Sequence, residues 1–76
     1  MPEKHLSSQF DSELNSASAR VMELGGLVES QLRQAIYALT QFSSEAADQV
    51  IETEQRVNAM EVEIDRELSS IIARRQ

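Results

Sequence analysis

Oxygen-bearing side chains line up along the second half of the chain. Glu54, Asn58, Glu61 and Asp65 follow one another at intervals of four, three and four residues. That spacing puts all of them on one line along an α-helix. Carboxylate and amide oxygens are the ligands that hard cations prefer, so a divalent ion such as Mg²⁺, Mn²⁺ or Ca²⁺, or iron, is the cofactor such a line would take. Helical bundles build such sites from inward-facing acids on adjacent helices. Val50, Val57, Ile64 and Ile71 form a seven-residue apolar row on the same stretch. At about 100° per residue, Glu61 sits roughly 40° from Val57, and Glu54 and Asp65 lie within about 80° of it. The acids therefore flank a packing seam. Like charges three or four residues apart cost a helix a few tenths of a kcal/mol each, a cost that a bound cation would remove. The plainer reading is a solvated helix edge that keeps the protein soluble, and the spacing alone fits both.

Two helices are needed to carry this line. Residues 1–8 read as a flexible leader, with Ser8 as the cap of the first helix and Asp11 three residues on. From Phe10 to Phe42, apolar residues recur at three- and four-residue spacing: Phe10, Leu14, Ala17, Val21, Leu24, Val28, Leu32, Ala35, Leu39 and Phe42. This predicts one amphipathic helix over about 9–42. Ser43-Ser44 breaks the pattern, and either serine can cap a second helix over about 44–75, where Glu45 and Asp48 suit its positive end. That helix carries Ala47, Val50, Val57, Met60, Ile64, Leu68 and Ile71, with Glu52 and Arg56 as an outer i,i+4 pair. Gln31 and Gln34 read as polar edge residues. So short a connection makes the helices antiparallel neighbours. The expected fold is all-α, a two-helix hairpin over 9–76. Met22, Leu27, Ile36, Tyr37, Ile51 and Ile72 widen the apolar surface beyond one seam, so a third helix or another chain must cover the rest. Self-association into a homo-oligomer, most simply a four-helix dimer, is expected. Gly25-Gly26 sits inside the first helix, either for close approach or bending there or as a tolerated weakness.

The bulk numbers exclude several functions. The chain has 76 residues, a net charge of −6 and no cysteine. The acidic balance argues against nucleic acid and anionic membranes as partners. Thiolate metal sites and cysteine nucleophiles are out, and the lone His5 has no partner histidine in a polar tail. No Ser-His-Asp set and no Gly-rich phosphate loop is present, so no enzyme is expected. No apolar run approaches 18 residues and no basic-then-apolar leader opens the sequence, so a cytoplasmic location is expected.

The segment RVMELGGLVESQLRQAIYAL, from Arg20 to Leu39, resembles the first helix of the PhoU family of bacterial phosphate-signalling regulators. VIETEQRVNAMEVEIDRELSSIIARRQ, from Val50 to Gln76, resembles the second, and the opening MPEKHLSSQFDSELN is similar to that of enteric-bacterial members. The resemblance implies a fold built from two similar three-helix bundles, of which this chain would be an incomplete first bundle ending where the third helix begins. It implies a non-enzymatic negative regulator of phosphate uptake and phosphate-starvation signalling that links a phosphate ABC transporter to a membrane sensor histidine kinase. It also implies metal binding through Glu/Asp-x-x-x-Asp motifs. Glu61-Val-Glu-Ile-Asp65 fits that form, whereas Glu54-Gln-Arg-Val-Asn58 fits it only with Asn58 in place of the acid. Against this stands a helical oligomerisation or helix-in-groove adaptor module without metal. The seven-residue rows favour such a module, and the lack of bases facing the acids does not.

Overall fold

A computed structural model describes the backbone of residues 2–75 and the side chains of residues 8–75. Helix α1 runs Pro2–Gln41 and helix α2 runs Ser44–Arg75. They pack antiparallel into one hairpin, 61 Å long and 15 by 13 Å across, with no strand among the described residues.

The start of α1 differs from expectation. The helix begins at Pro2, so residues 2–8 continue it where a leader was expected, and Ser8 lies inside it and caps nothing. The physical reason is local. Proline is preorganised for the first helical position, where its missing N–H is no loss, and no glycine or second proline interrupts residues 3–8. The side chain of His5 lies outside the described residues.

The connection is a tight one. Ser43 N–H donates to Ala38 C=O at 3.1 Å, the wrapped-back bond of a Schellman ending. That ending places its pivot residue in the left-handed region, and Phe42 has φ 52°. Glycine normally takes this position; a residue with a Cβ pays about 1–2 kcal/mol there. Nothing in the packing returns that cost, because Phe42 is 94% exposed. Ser43 is the cap of α2: its Oγ accepts from Ala46 N–H and its C=O from Ala47 N–H, both at 3.1 Å. Glu45 in the first turn and Arg74 and Arg75 in the last complement the helix dipole.

Each helix carries two interleaved seven-residue rows, and only one row of each enters the seam. On α2 the inner row is Ala46, Val50, Thr53, Val57, Met60, Ile64, Glu67 and Ile71. Val50, Val57, Ile64 and Ile71 behave as expected, but Ala46 replaces Ala47, and Leu68 lies on the rim. On α1 the inner row is Phe10, Glu13, Ala17, Arg20, Leu24, Leu27, Gln31, Gln34 and Ala38. Ala17 at 3% and Val57 and Ile71 at 4% exposure are the most buried side chains of the seam among the described residues. The expected α1 core is thus corrected: Leu14, Val21, Leu32, Leu39 and Phe42 are all exposed, Leu39 by 76%. A helix facing one neighbour can bury only a single stripe. The more polar stripe won because its polar members find partners on α2, as described below.

This leaves a great deal of surface open. The accessible area is 5961 Å², against about 4,700 Å² for a compact monomer of 8.5 kDa. The radius of gyration is 17.6 Å, against roughly 11 Å for a compact domain of this length.

Two substitutions test the turn. Phe42→Gly should stabilise the chain by about 1 kcal/mol through relief of the left-handed strain, and Ser43→Ala should cost about 1 kcal/mol through loss of the cap. Urea unfolding followed by circular dichroism reads both, and equal midpoints for the two variants would contradict the geometry.

Candidate functional site

The oxygen line lies on the flank of α2 next to the inner row. Glu54, Asn58, Glu61 and Asp65 are all on the solvent-exposed side of the seam boundary. Glu54 is drawn across to α1, where Gln31 Nε2 donates to its Oε2 at 2.5 Å and to Val50 C=O at 3.4 Å. Asn58, Glu61 and Asp65 stand on the same line further along. One helix alone presents its acids in a file, not around a point. Among the described residues no three acidic or histidine groups come together in a way that could hold a metal ion.

The line continues in both directions as apolar residues at the same period. Going towards the turn come Ile51 and Ala47; going towards the C-terminus come Leu68 and Ile72. The outer row of α1 lies on the same side: Leu14, Ser18, Val21, Gly25, Val28, Leu32, Ala35 and Leu39. A groove runs between these two outer rows. Its C-terminal end is lined by Phe10, Leu14, Leu68, Ile71 and Ile72 around an opening of about 470 Å³, and it continues past Ser18, Val21 and Met22. Its middle has small α1 residues on one wall and the oxygen line on the other. Space is open at Gly25, where an added Cβ would meet nothing within 4 Å.

The opposite face of the hairpin is polar. Near the turn, Arg33, Gln34, Tyr37, Ser43, Glu45 and Gln49 surround a shallow hollow. Arg33 pairs with Glu29 at 2.7 Å. This is the i,i+4 pair that closes among the described residues, in place of the expected Glu52–Arg56 pair.

Between the two faces, polar rungs cross the seam. At the open end, Arg74 Nη2 lies 3.1 Å from Glu13 Oε1, and the Arg75 guanidinium sits 4.3 Å above the Phe10 ring. Arg20 bridges Glu63 at 2.5 Å and Glu67 at 3.5 Å. Glu67 Oε2 and Glu13 Oε2 are buried without a hydrogen bond, so Arg20 at 3.5 Å and Arg75 at 4.0 Å give them charge compensation only. Nearer the turn, Thr53 Oγ1 donates to Gln34 Oε1 at 3.2 Å, next to the Gln31–Glu54 bond. Gln31 and Gln34, taken from sequence as edge residues, are therefore seam residues. The signal was present in the spacing: Glu13, Arg20, Leu27 and Gln34 recur every seven residues, but their partners become visible only in the antiparallel register.

Comparison with known proteins decides the family. The PhoU domain family matches residues 21–76. The chain belongs to that family. It is 49% identical over 76 residues to a phosphate-specific transport system accessory protein PhoU homolog of Burkholderia sp., covering 100% of this chain and 32% of that protein. It is 49% identical over 73 residues to the phosphate-specific transport system accessory protein PhoU of Escherichia coli (strain K12), covering 96% and 30%. A homolog from Pseudomonas putida is 43% identical over 72 residues, covering 95% and 28%. The chain thus spans about a third of the length of the curated PhoU proteins it matches. No solved structure matches. A hairpin of two helices is what the resemblance read from the sequence implied for the first part of a PhoU bundle. No helix among the described residues is long and apolar enough to cross a membrane.

The rungs give a sharp contrast in mutational cost. Arg20→Ala should destabilise the hairpin by about 1–2 kcal/mol, because it leaves a buried Glu67 oxygen without compensation. Arg33→Ala, which removes a solvated i,i+4 pair, should change stability by less than about 0.5 kcal/mol. Denaturant midpoints that rank the two in the reverse order would show that the rungs carry no weight.

Proposed function

We propose that this chain supplies the first two helices of a PhoU-type regulator of phosphate uptake and phosphate-starvation signalling. The observation that carries the reading is identity of 49% spread over all 76 residues to a phosphate-specific transport accessory protein homolog. In this reading the protein acts in the cytoplasm as a non-enzymatic negative regulator. Its partners are a phosphate ABC transporter and a sensor histidine kinase, and it associates with further copies of itself. The polar rungs suit such a role. They fix the hairpin's register and leave one long groove as the surface for assembly.

Glu61 and Asp65, with Glu54 and Asn58 beside them, are the metal-binding wall of this reading. A single helix supplies too few convergent oxygens to strip a hard cation of its waters. The wall therefore binds a divalent or iron-type cation weakly until a facing element adds ligands. A second reading, an adaptor that holds a helix in the groove without metal, is favoured by the engagement of Glu54 with Gln31.

Two experiments test these readings. First, the matching N-terminal third of the Escherichia coli PhoU protein is replaced by this chain, and a phosphate-starvation reporter is followed in phosphate-rich medium. The reporter should stay repressed as with the native protein; full derepression from a stably expressed chimera contradicts the transport reading. Second, Mn²⁺ or Mg²⁺ should raise the melting temperature only at millimolar concentration, by mass action. Glu61→Gln with Asp65→Asn should abolish that rise and lift metal-free stability by a few tenths of a kcal/mol. A double variant that keeps the full metal-dependent rise leaves the oxygen line as a solvated edge.

A further inference from the structure

The turn holds the most exposed large apolar side chain among the described residues. Phe42 is 94% exposed, and its φ of 52° puts it in the left-handed region, where a residue with a Cβ is strained. Glycine there would remove both the strain and the wetted ring. Nothing in the hairpin offsets either. Strained residues of this kind cluster where a function uses them, at ligand clamps and switch regions. Phe42 also belongs to neither helix. It stands in the short connection between Gln41, the last residue of α1, and Ser44, the first of α2. It is therefore at the apex of the hairpin, outside the rows that line the groove.

The apex is locked on both sides of this residue. Ser43 N–H reaches back to Ala38 C=O, and Ser43 Oγ and C=O hold the first turn of α2. On the α1 side, Thr40 Oγ1 donates to Tyr37 C=O at 3.3 Å. The backbone is thus fixed with the ring presented to water. A group held this way loses little freedom on binding, and such preorganisation strengthens a contact. Aromatic anchors seated in a pocket carry much of the binding energy of protein interfaces. We propose that Phe42 is the anchor of a docking site at the apex, seated in an apolar pocket of a partner protein with a basic rim.

Charge selects the occupant. From Ala38 to Gln49 the chain carries Glu45 and Asp48, both exposed, and no Lys or Arg. This acidic surround opposes an anionic membrane surface, the other place an exposed aromatic ring could settle. It opposes a second apex equally, because two copies would bring four carboxylates together. Lys or Arg around the pocket complements it. The proposal rests on the transport reading above only for which protein the partner is, the transporter or the kinase. The chemistry of the pocket follows from the apex itself.

The chimera described above tests this with p-benzoylphenylalanine in place of Phe42. Irradiation of cells in phosphate-rich medium should give a covalent adduct with a second, different protein. Peptide mapping should place the bond in an apolar segment flanked by Lys or Arg. The same photoreactive residue at Glu52, exposed about two turns into α2, should not give that adduct. Phe42→Gly and Phe42→Asn both suit the left-handed turn without the ring. Each should lose most of the reporter repression, while the urea midpoint of the 76-residue chain is unchanged or raised. Phe42→Leu, which keeps an apolar side chain, should retain most of the repression. Loss of function in a chain that is no less stable excludes misfolding as its cause. An adduct with lipid, with the chimera itself or with a second copy overturns the proposal, as does the absence of any adduct or full repression by Phe42→Gly and Phe42→Asn. If the unsubstituted chimera fails to repress, the transport reading falls, and the adduct alone judges the docking site.

Discussion

Everything in this molecule depends on a seam that is narrow and partly polar. Two helices of 40 and 32 residues meet along one stripe each, and Ala17, Val57 and Ile71 are the most buried side chains of the seam among the described residues. Apolar contact of this kind resists sliding only weakly, because one leucine layer resembles the next. The rungs of Glu13 with Arg74, Arg20 with Glu63 and Glu67, Gln34 with Thr53, and Gln31 with Glu54 differ from one another in charge, length and hydrogen-bond type. A slip by one heptad would leave Arg20 and Glu13 without their partners. Polar groups at such positions commonly trade some stability for register.

The rungs also explain how the two faces become different. Since the inner α1 row carries Glu13, Arg20, Gln31 and Gln34, the more apolar row of Leu14, Val21, Leu32 and Leu39 is left facing outwards. One side of the hairpin is then wet, with Arg33, Glu29, Glu63 and Gln49, and the other is a long groove with apolar ends and an acidic centre. The oxygen line is part of that groove wall. Whatever approaches the groove must therefore meet the acids, bring charge to them, or leave them hydrated.

Much of the fold can be read from the sequence. The three/four periodicity gives two helices and their antiparallel pairing, and Ser43-Ser44 gives the break. The line from Glu54 to Asp65 follows from spacing alone. Three things were not legible. The start of α1 was placed at Ser8 because a serine followed by an acid looks like a cap, yet an uninterrupted helical stretch behind Pro2 extends it. The turn does not announce itself, since its left-handed residue is Phe42 and not a glycine. The choice between interleaved rows on α1 is hidden as well, because apolar content favours the row of Leu14 and Leu32. Burial instead followed partner availability on α2, which a single helix cannot reveal.

The register of the hairpin is the central claim, and a distance across it is the most direct test. Nitroxide labels at Ser16→Cys and Ser70→Cys would sit at one level on the wet face of α1 and α2, away from the groove. With labelled chain diluted into unlabelled chain, double electron–electron resonance should show one narrow, short distance, as expected for helices packed about 8–10 Å apart. A broad distribution, or one centred far beyond the width of two packed helices, would contradict a hairpin held in a single register by its rungs.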